Sequence, residues 1–147
     1  MTVGRAPKAG GGFSLQDSSW LLALAGGNNQ ISQSNPVALA GGAQAGAPIL
    51  GGMNAQGVEP FLIRIATVVT AADSFRLVNA IAGKSLLIHN PTANACAIFA
   101  EPAVNKATGV VDIINGLANG TALSIPAGKI GLFFCAKDGF WSGSPLP

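Results

Sequence analysis

The chain has 147 residues, of which only 10% are charged and 49% hydrophobic, with a net charge of +2. An ordinary soluble domain is roughly a quarter charged, so a surface this poor in charge belongs to a subunit covered by neighbours rather than to a free-living monomer. The basic residues Arg5, Lys8, Arg64, Arg76, Lys84, Lys106, Lys129 and Lys137 are scattered singly, which excludes the clustered cationic face of a nucleic-acid binder. No apolar stretch is long enough to cross a bilayer as a helix, so no membrane partner is expected.

Composition changes near Glu59. Residues 1–58 are rich in Gly, Ala, Asn, Gln and Ser and read as an extended N-terminal arm; residues 59–147 read as one folded domain. Within the arm, Ser14 stands three residues before Asp17, a capping-box pattern, and Trp20, Leu21 and Leu24 fall on one side of a short helix that Gly26-Gly27 ends. The run Trp20–Ala25 is too short for the apolar core of a secretory signal, and Asp17 precedes it. Leu24-Ala25-Gly26-Gly27 returns as Leu39-Ala40-Gly41-Gly42 and, shortened, as Leu50-Gly51-Gly52, at a spacing too irregular for a solenoid. Phe13, Trp20, Leu21, Leu24, Leu39 and Leu50 are expected to supply apolar anchors that hold the arm on the surface of another subunit. Ordering each arm residue costs about 1–2 kcal/mol of backbone entropy and burying an anchor returns about 1.5–3 kcal/mol, so the arm is expected to order only when bound.

The second part reads as strands throughout. Phe61–Val69 alternates with period two, Phe61, Ile63, Ile65, Thr67 and Val69 on one face and Leu62, Arg64, Ala66 and Val68 on the other. Further strands are expected over Asp73–Val78, Lys84–His89, Ala95–Ala100, Val110–Ile114, Ala122–Ile125, Ile130–Ala136 and Phe140–Trp141. Turn signals punctuate them, among them Asn115-Gly116, Asn119-Gly120 and Asp138-Gly139, where glycine supplies the positive φ of a tight turn. Many short strands without a helix-period segment predict an all-β fold, an antiparallel sandwich or barrel preceded by the arm. Gly131–Ala136 has no polar face, so that strand is either central and covered twice or packs its outer face on another subunit.

The chemistry-bearing residues form no constellation. Ala82-Gly83-Lys84-Ser85 ends like a phosphate-binding loop, but Val78 stands where the first glycine is required, and Ala127-Gly128-Lys129 repeats the same turn before another strand, so Ala-Gly-Lys reads as a hairpin connection. His89, Ser85 and Asp112 lack any nucleophile-elbow pattern that would order a triad. One histidine, two separated cysteines and six scattered carboxylates show no metal-ligand spacing. The sequence therefore predicts no catalytic residue, cofactor or metal, and no enzyme. Cys96 and Cys135 sit in apolar runs and read as buried thiols, with a bridge between them left open. Asn119-Gly120-Thr121 reads as a chance match to a glycosylation acceptor, at a turn. Phe133, Phe134, Phe140 and Trp141 read as cross-strand aromatics closing the core; the alternative is a sugar-binding surface around Trp141.

The order of motifs carries a resemblance. Ala66–Leu77 leads to Ala82-Gly83-Lys84-Ser85-Leu86, then to an Asn-containing turn and Phe99-Ala100-Glu101-Pro102. Asp112-Ile113-Ile114-Asn115-Gly116-Leu117, Ile125-Pro126-Ala127-Gly128-Lys129, Phe133-Phe134-Cys135-Ala136 and Gly139-Phe140-Trp141 follow. This order, with Leu24-Ala25-Gly26-Gly27-Asn28 in the arm, resembles small structural proteins of tailed bacteriophages. The resemblance implies a capsid decoration (cement) protein on the virion exterior, assembled in the host cytoplasm. It further implies a jelly-roll-like domain, a homo-oligomer (a trimer) and an arm that grips the major capsid protein. The runner-up is a head-fibre, tail or spike-base module that binds a host glycan.

Overall fold

The computed structural model describes residues 36–53, 57 and 59–146. The short helix expected around Trp20 lies outside them, as do Phe13, Trp20, Leu21 and Leu24. The described chain is β throughout, with no helix among the described residues. Nine strands form it: β1 (Ile49–Leu50), β2 (Leu62–Arg64), β3 (Ser74–Leu77), β4 (Ser85–His89), β5 (Cys96–Phe99), β6 (Ile113–Ile114), β7 (Leu123–Ile125), β8 (Ile130–Lys137) and β9 (Phe140–Pro145).

They make a four-stranded sheet in the order β1-β3-β5-β7 and a five-stranded sheet in the order β2-β4-β8-β9-β6. Up to β8 the chain changes sheet at every step. β1, β2 and β3 each therefore meet a hydrogen-bonded neighbour one full circuit later and in the same direction: Ile49 pairs with Arg76, Leu62 with Leu87 and Ser74 with Ala97. A parallel pair needs a crossover of a dozen or more residues, and here a strand of the opposite sheet supplies it. The sheets are consequently mixed, not antiparallel as expected, and neither closes into a barrel. β4–β8, β5–β7 and β8–β9 are antiparallel, while β6 joins β9 in parallel.

One core fills the space between the sheets. Leu50, Phe75, Leu77, Cys96, Ile98 and Ile125 come from the smaller sheet, and Ile63, Leu86, Ile88, Phe133, Cys135, Trp141 and Ile114 from the larger. Period two places these side chains inward on nearly every strand. Trp141 is fully buried, its Nε1–H donating to the Val78 carbonyl at 3.1 Å. Phe133 lies against Gly131 and Gly143, where a Cβ would come within 3.0 and 2.4 Å of its ring. Those glycines are the space that the phenyl group occupies.

Three readings of the sequence change here. Phe61–Val69 does not continue as one strand. Ile63 and Ile65 share a face as expected, and it is the inward one, but the ladder ends at Arg64 and the next inward residue after Ile65 is Val68, with Thr67 and Val69 exposed. Ala82-Gly83-Lys84 and Ala127-Gly128-Lys129 are matching turns, closed by Lys84 N–H to Ile81 O and Lys129 N–H to Pro126 O with Gly83 and Gly128 at positive φ. They are not hairpins, because each passes the chain from one sheet to the other. The third change concerns the arm: residues 36–53 are built into the domain. Val37 bridges Thr67, Leu39 bridges Ser74, and β1 extends the smaller sheet with Leu50 in the core.

Leu50→Ala therefore removes a core side chain. It is expected to lower the unfolding free energy by about 2–5 kcal/mol in a urea titration. No measurable loss would place Leu50 outside the cooperative unit.

Candidate interaction surface

The outer faces of the two sheets are treated differently. On the smaller sheet, Ser74, Ala97 and Phe99 point away from the core yet are buried. They are covered by the strap of residues 39–47. Leu39 exchanges backbone hydrogen bonds with Ser74, the Ser74 hydroxyl donates to Ala43 O at 2.6 Å, and Gln44 Nε2 donates to Ala100 O at 2.8 Å and to Asn119 Oδ1 at 3.0 Å. Asp73 is the strap's anchor. Its carboxylate accepts from the N–H groups of Gly41, Val69 and Thr70 and from the Thr70 hydroxyl at 2.6 Å. These bonds, those from Thr70 foremost, hold its carboxyl below the ordinary value of 3.8.

Leu39 and Leu50, expected as anchors for another subunit, are thus committed within the chain. Leu50 is wholly inside the core, and Leu39 is half-buried beside β3. The physical reason is local. Hydrogen bonding to β3 and the strap's cover of Ser74, Ala97 and Phe99 repay the ordering of this segment within its own domain, with no neighbour required.

The larger sheet is open on its outer side. Register puts Leu62, Leu87, Leu132 and Ser144 in one row across β2, β4, β8 and β9, and Ser85, Phe134 and Ser142 in the next. Arg64, His89 and Ile130 form the row beyond, where the Leu146 N–H donates to Ile130 O. Leu62, Leu87, Ile130 and Leu132 are half-buried, and Phe134 is 48% exposed. No strand of the described residues lies over this face. It is apolar across its middle, with Arg64 and His89 at one corner. Glu59 stands at the other end of β2, where it pairs with Lys84 at 2.8 Å beside a cleft of about 550 Å³ lined by Pro60, Phe61, Ile81 and Leu86.

The residues weighed for chemistry are dispersed or already engaged. Ser85 and His89 lie on the outer face of β4, whereas Asp112 is buried and accepts from Ala80 N–H at 2.7 Å, Asn105 Nδ2 at 2.7 Å and Asn79 Nδ2 at 3.1 Å. Asn119 spends its amide on Asp112 O and Glu101 O, so the apparent glycosylation acceptor is part of the same network. Glu101 accepts from Arg76 at 2.9 Å, tying the network to β3. Among the described residues no group of His, Cys, Asp and Glu is placed to hold a metal. Trp141 offers no surface to a sugar, since the indole is enclosed in the core. Cys96 and Cys135 are both free and buried, and burial pushes the Cys96 thiol up to about 12 and raises that of Cys135.

Sequence reasoning recognised that some strands were apolar on both faces, but it did not find the strap or the Asp73 anchor. Thr70-Ala71-Ala72-Asp73, a short polar side chain ahead of a strand, was the available signal for the latter. No family model, curated protein or solved structure matches the chain.

Two outcomes test this arrangement. Asp73 is held as a carboxylate in the folded state, so its contribution is complete above the ordinary carboxylate range and is lost as pH falls through its lowered value. Hydrogen-exchange protection at Gly41, Val69 and Thr70, corrected for intrinsic rates, is expected to hold down to about pH 4, where a free Asp begins to titrate, and to fall below it. In Asp73→Asn it should already be reduced at neutral pH. An aromatic disulfide reagent at pH 8 should find no rapidly reacting thiol in the native protein and both thiols once it is denatured, because the thiolate is the nucleophile.

Proposed function

We propose that this chain is a structural subunit of a phage virion, a decoration protein that clamps neighbouring capsid proteins and associates with copies of itself. The observation that carries the reading is the open outer face of the five-stranded sheet, with Leu62, Leu87, Leu132 and Phe134 across it, in a chain that is only 10% charged. Exposed apolar patches of this kind mark contact surfaces between proteins. The resemblance in motif order supplies the virion setting, and the steady alternation of the chain between two sheets is the jelly-roll-like element of the reading.

The mechanism is adhesive. The structure reassigns Leu39 and Leu50 to the domain, so the gripping part of the arm contracts to residues 1–35, with Phe13, Trp20, Leu21 and Leu24 as its anchors. The major capsid protein is the surface they grip. Many weak contacts repeated over a lattice add through multivalency, which removes the need for a tight site in any one copy. With Trp141 enclosed, no observation favours the glycan-binding alternative.

The test is a deletion of residues 1–35 assayed by co-sedimentation with capsids. Expected is a loss of capsid association of tenfold or more on the scale of avidity effects, with the β-sheet circular dichroism spectrum retained. Undiminished binding by the truncated protein would refute the arm mechanism. A deletion of residues 1–55 is a different experiment, because it removes the strap and β1 and is expected to unfold the domain.

A further inference from the structure

We infer that the outer face of the five-stranded sheet docks on an acidic protein surface, one that sets carboxylates against Arg64 and Lys137 at the two ends of the face and aliphatic groups against the leucines between them. The inference rests on the decoration reading above and gives the contact with the capsid protein a face and a chemistry.

The carboxylates of the described chain are all engaged within it. Asp73 and Asp112 are buried on backbone and amide donors, and Glu101 is buried against Arg76. Glu59 pairs with Lys84, and Asp138 accepts from the Ala82 N–H at 2.8 Å. Arg64 and Lys137 are exposed and take part in no ion pair among the described residues, where the only pairs are Arg76–Glu101 and Lys84–Glu59. Folding thus draws acids inward and leaves cations uncompensated at the surface.

Both cations belong to the open face. Arg64 points outward because Ile63 beside it points inward, and His89 is its register partner. At the other end a bulge between Phe134 and Lys137 shifts the alternation, so that Lys137 stands opposite Phe140 with its ammonium 5.3 Å from the centre of that ring. Trp141 points into the core, which turns Phe140 and Lys137 outward. β8 carries eight residues from Ile130, beside His89, to Lys137. At about 3.3 Å per residue its two ends are roughly 20 Å apart. Leu62, Leu87, Leu132 and Phe134 fill the interval, and no described carboxylate stands in any of the rows. A cation at each end with aliphatic groups between them calls for a counterpart that is acidic at two separated points and apolar in the middle. A second copy brings the same face, cationic at both ends, so superposing the ends sets like charges together. A neutral surface would cover the leucines and leave Arg64 and Lys137 without counter-charges. A nucleic acid carries phosphates every few Å and needs a cationic stripe, where this face has two distant ends. A bilayer takes anchors that reach about 5–10 Å into it, whereas these leucines stand half-buried among their neighbours.

The test is co-sedimentation of the full chain with undecorated capsids. Arg64→Glu and Lys137→Glu are each expected to weaken association about tenfold, since each sets a carboxylate against a carboxylate. Ser124→Glu adds a charge of the same sign to the exposed outer side of the smaller sheet, and should leave association within about twofold of the unaltered chain. All three positions are exposed, so the circular dichroism spectrum is expected to be retained in each variant. Full-strength binding by both Arg64→Glu and Lys137→Glu overturns the inference and leaves the decoration reading standing, because the arm can still grip. An equal loss in all three variants overturns it as well, since the effect would then belong to net charge and not to the face. No association by the unaltered chain overturns the inference and the decoration reading together. Sedimentation with phosphatidylserine vesicles in place of capsids, lost on Arg64→Glu, overturns the inference by giving the face to a lipid surface. A smaller assembly mass for Arg64→Glu in sedimentation equilibrium overturns it by giving the face to a contact between copies.

Discussion

The whole fold depends on one constraint: until its final hairpin, the chain never pairs two consecutive strands. β1, β3 and β5 ladder together in one layer while β2 and β4 ladder together in the other, so the polypeptide winds around its own hydrophobic filling. Every ladder in this coil closes a loop of roughly two dozen residues, and its entropy must be met before any hydrogen bond is gained. What meets it is the shared core. Leu50, Phe75 and Ile98 from one layer touch nothing useful until Ile63, Leu86 and Phe133 from the other are in place. The two sheets are therefore interdependent, and neither is a folding unit by itself.

The same winding explains why the two outer faces differ. The smaller sheet is where the described chain begins, and the segment leading into it crosses its outside as a strap. Asp73, the Ser74 hydroxyl and Gln44 fix that crossing with bonds to both sides of the sheet. The larger sheet receives no such covering among the described residues, and its exterior keeps Leu62, Leu87, Leu132 and Phe134 at the surface. An apolar exterior on one side only gives the molecule a direction, with one face settled and the other ready to be covered.

Much of this was legible in the residues. Each of the eight segments read as a strand overlaps one, and the inward residues of β3 and β4 followed from alternation alone. What alternation cannot convey is the partner. Phe75 and Leu77 announce a face but say nothing of Ile98 or Leu50 beside them, so the pairing was read as antiparallel and the arm was drawn to residue 58. β1 escaped notice because it is two residues long and framed by Pro48 and Gly51, which is too short for any period to show. The run Phe61–Val69 misled for the opposite reason: its pattern persisted past Arg64, where the ladder stops and the backbone turns. The carboxylate of Asp112 could not be placed from sequence, since Asn79, Asn105 and Ala80 approach it from separate loops.

The strand order of the larger sheet has a consequence for how the molecule is made. β8 and β9 come last in sequence, yet they stand between β4 and β6 and supply the central ladder of that sheet. A nascent chain can wind its first five strands as they emerge from the ribosome, but β6 has no neighbour until the final hairpin slides in beside it. The hairpin from Ile130 to Pro145 acts as the wedge that locks the layer, and a chain deprived of it is left as a half-wound coil with its greasy seam unsealed.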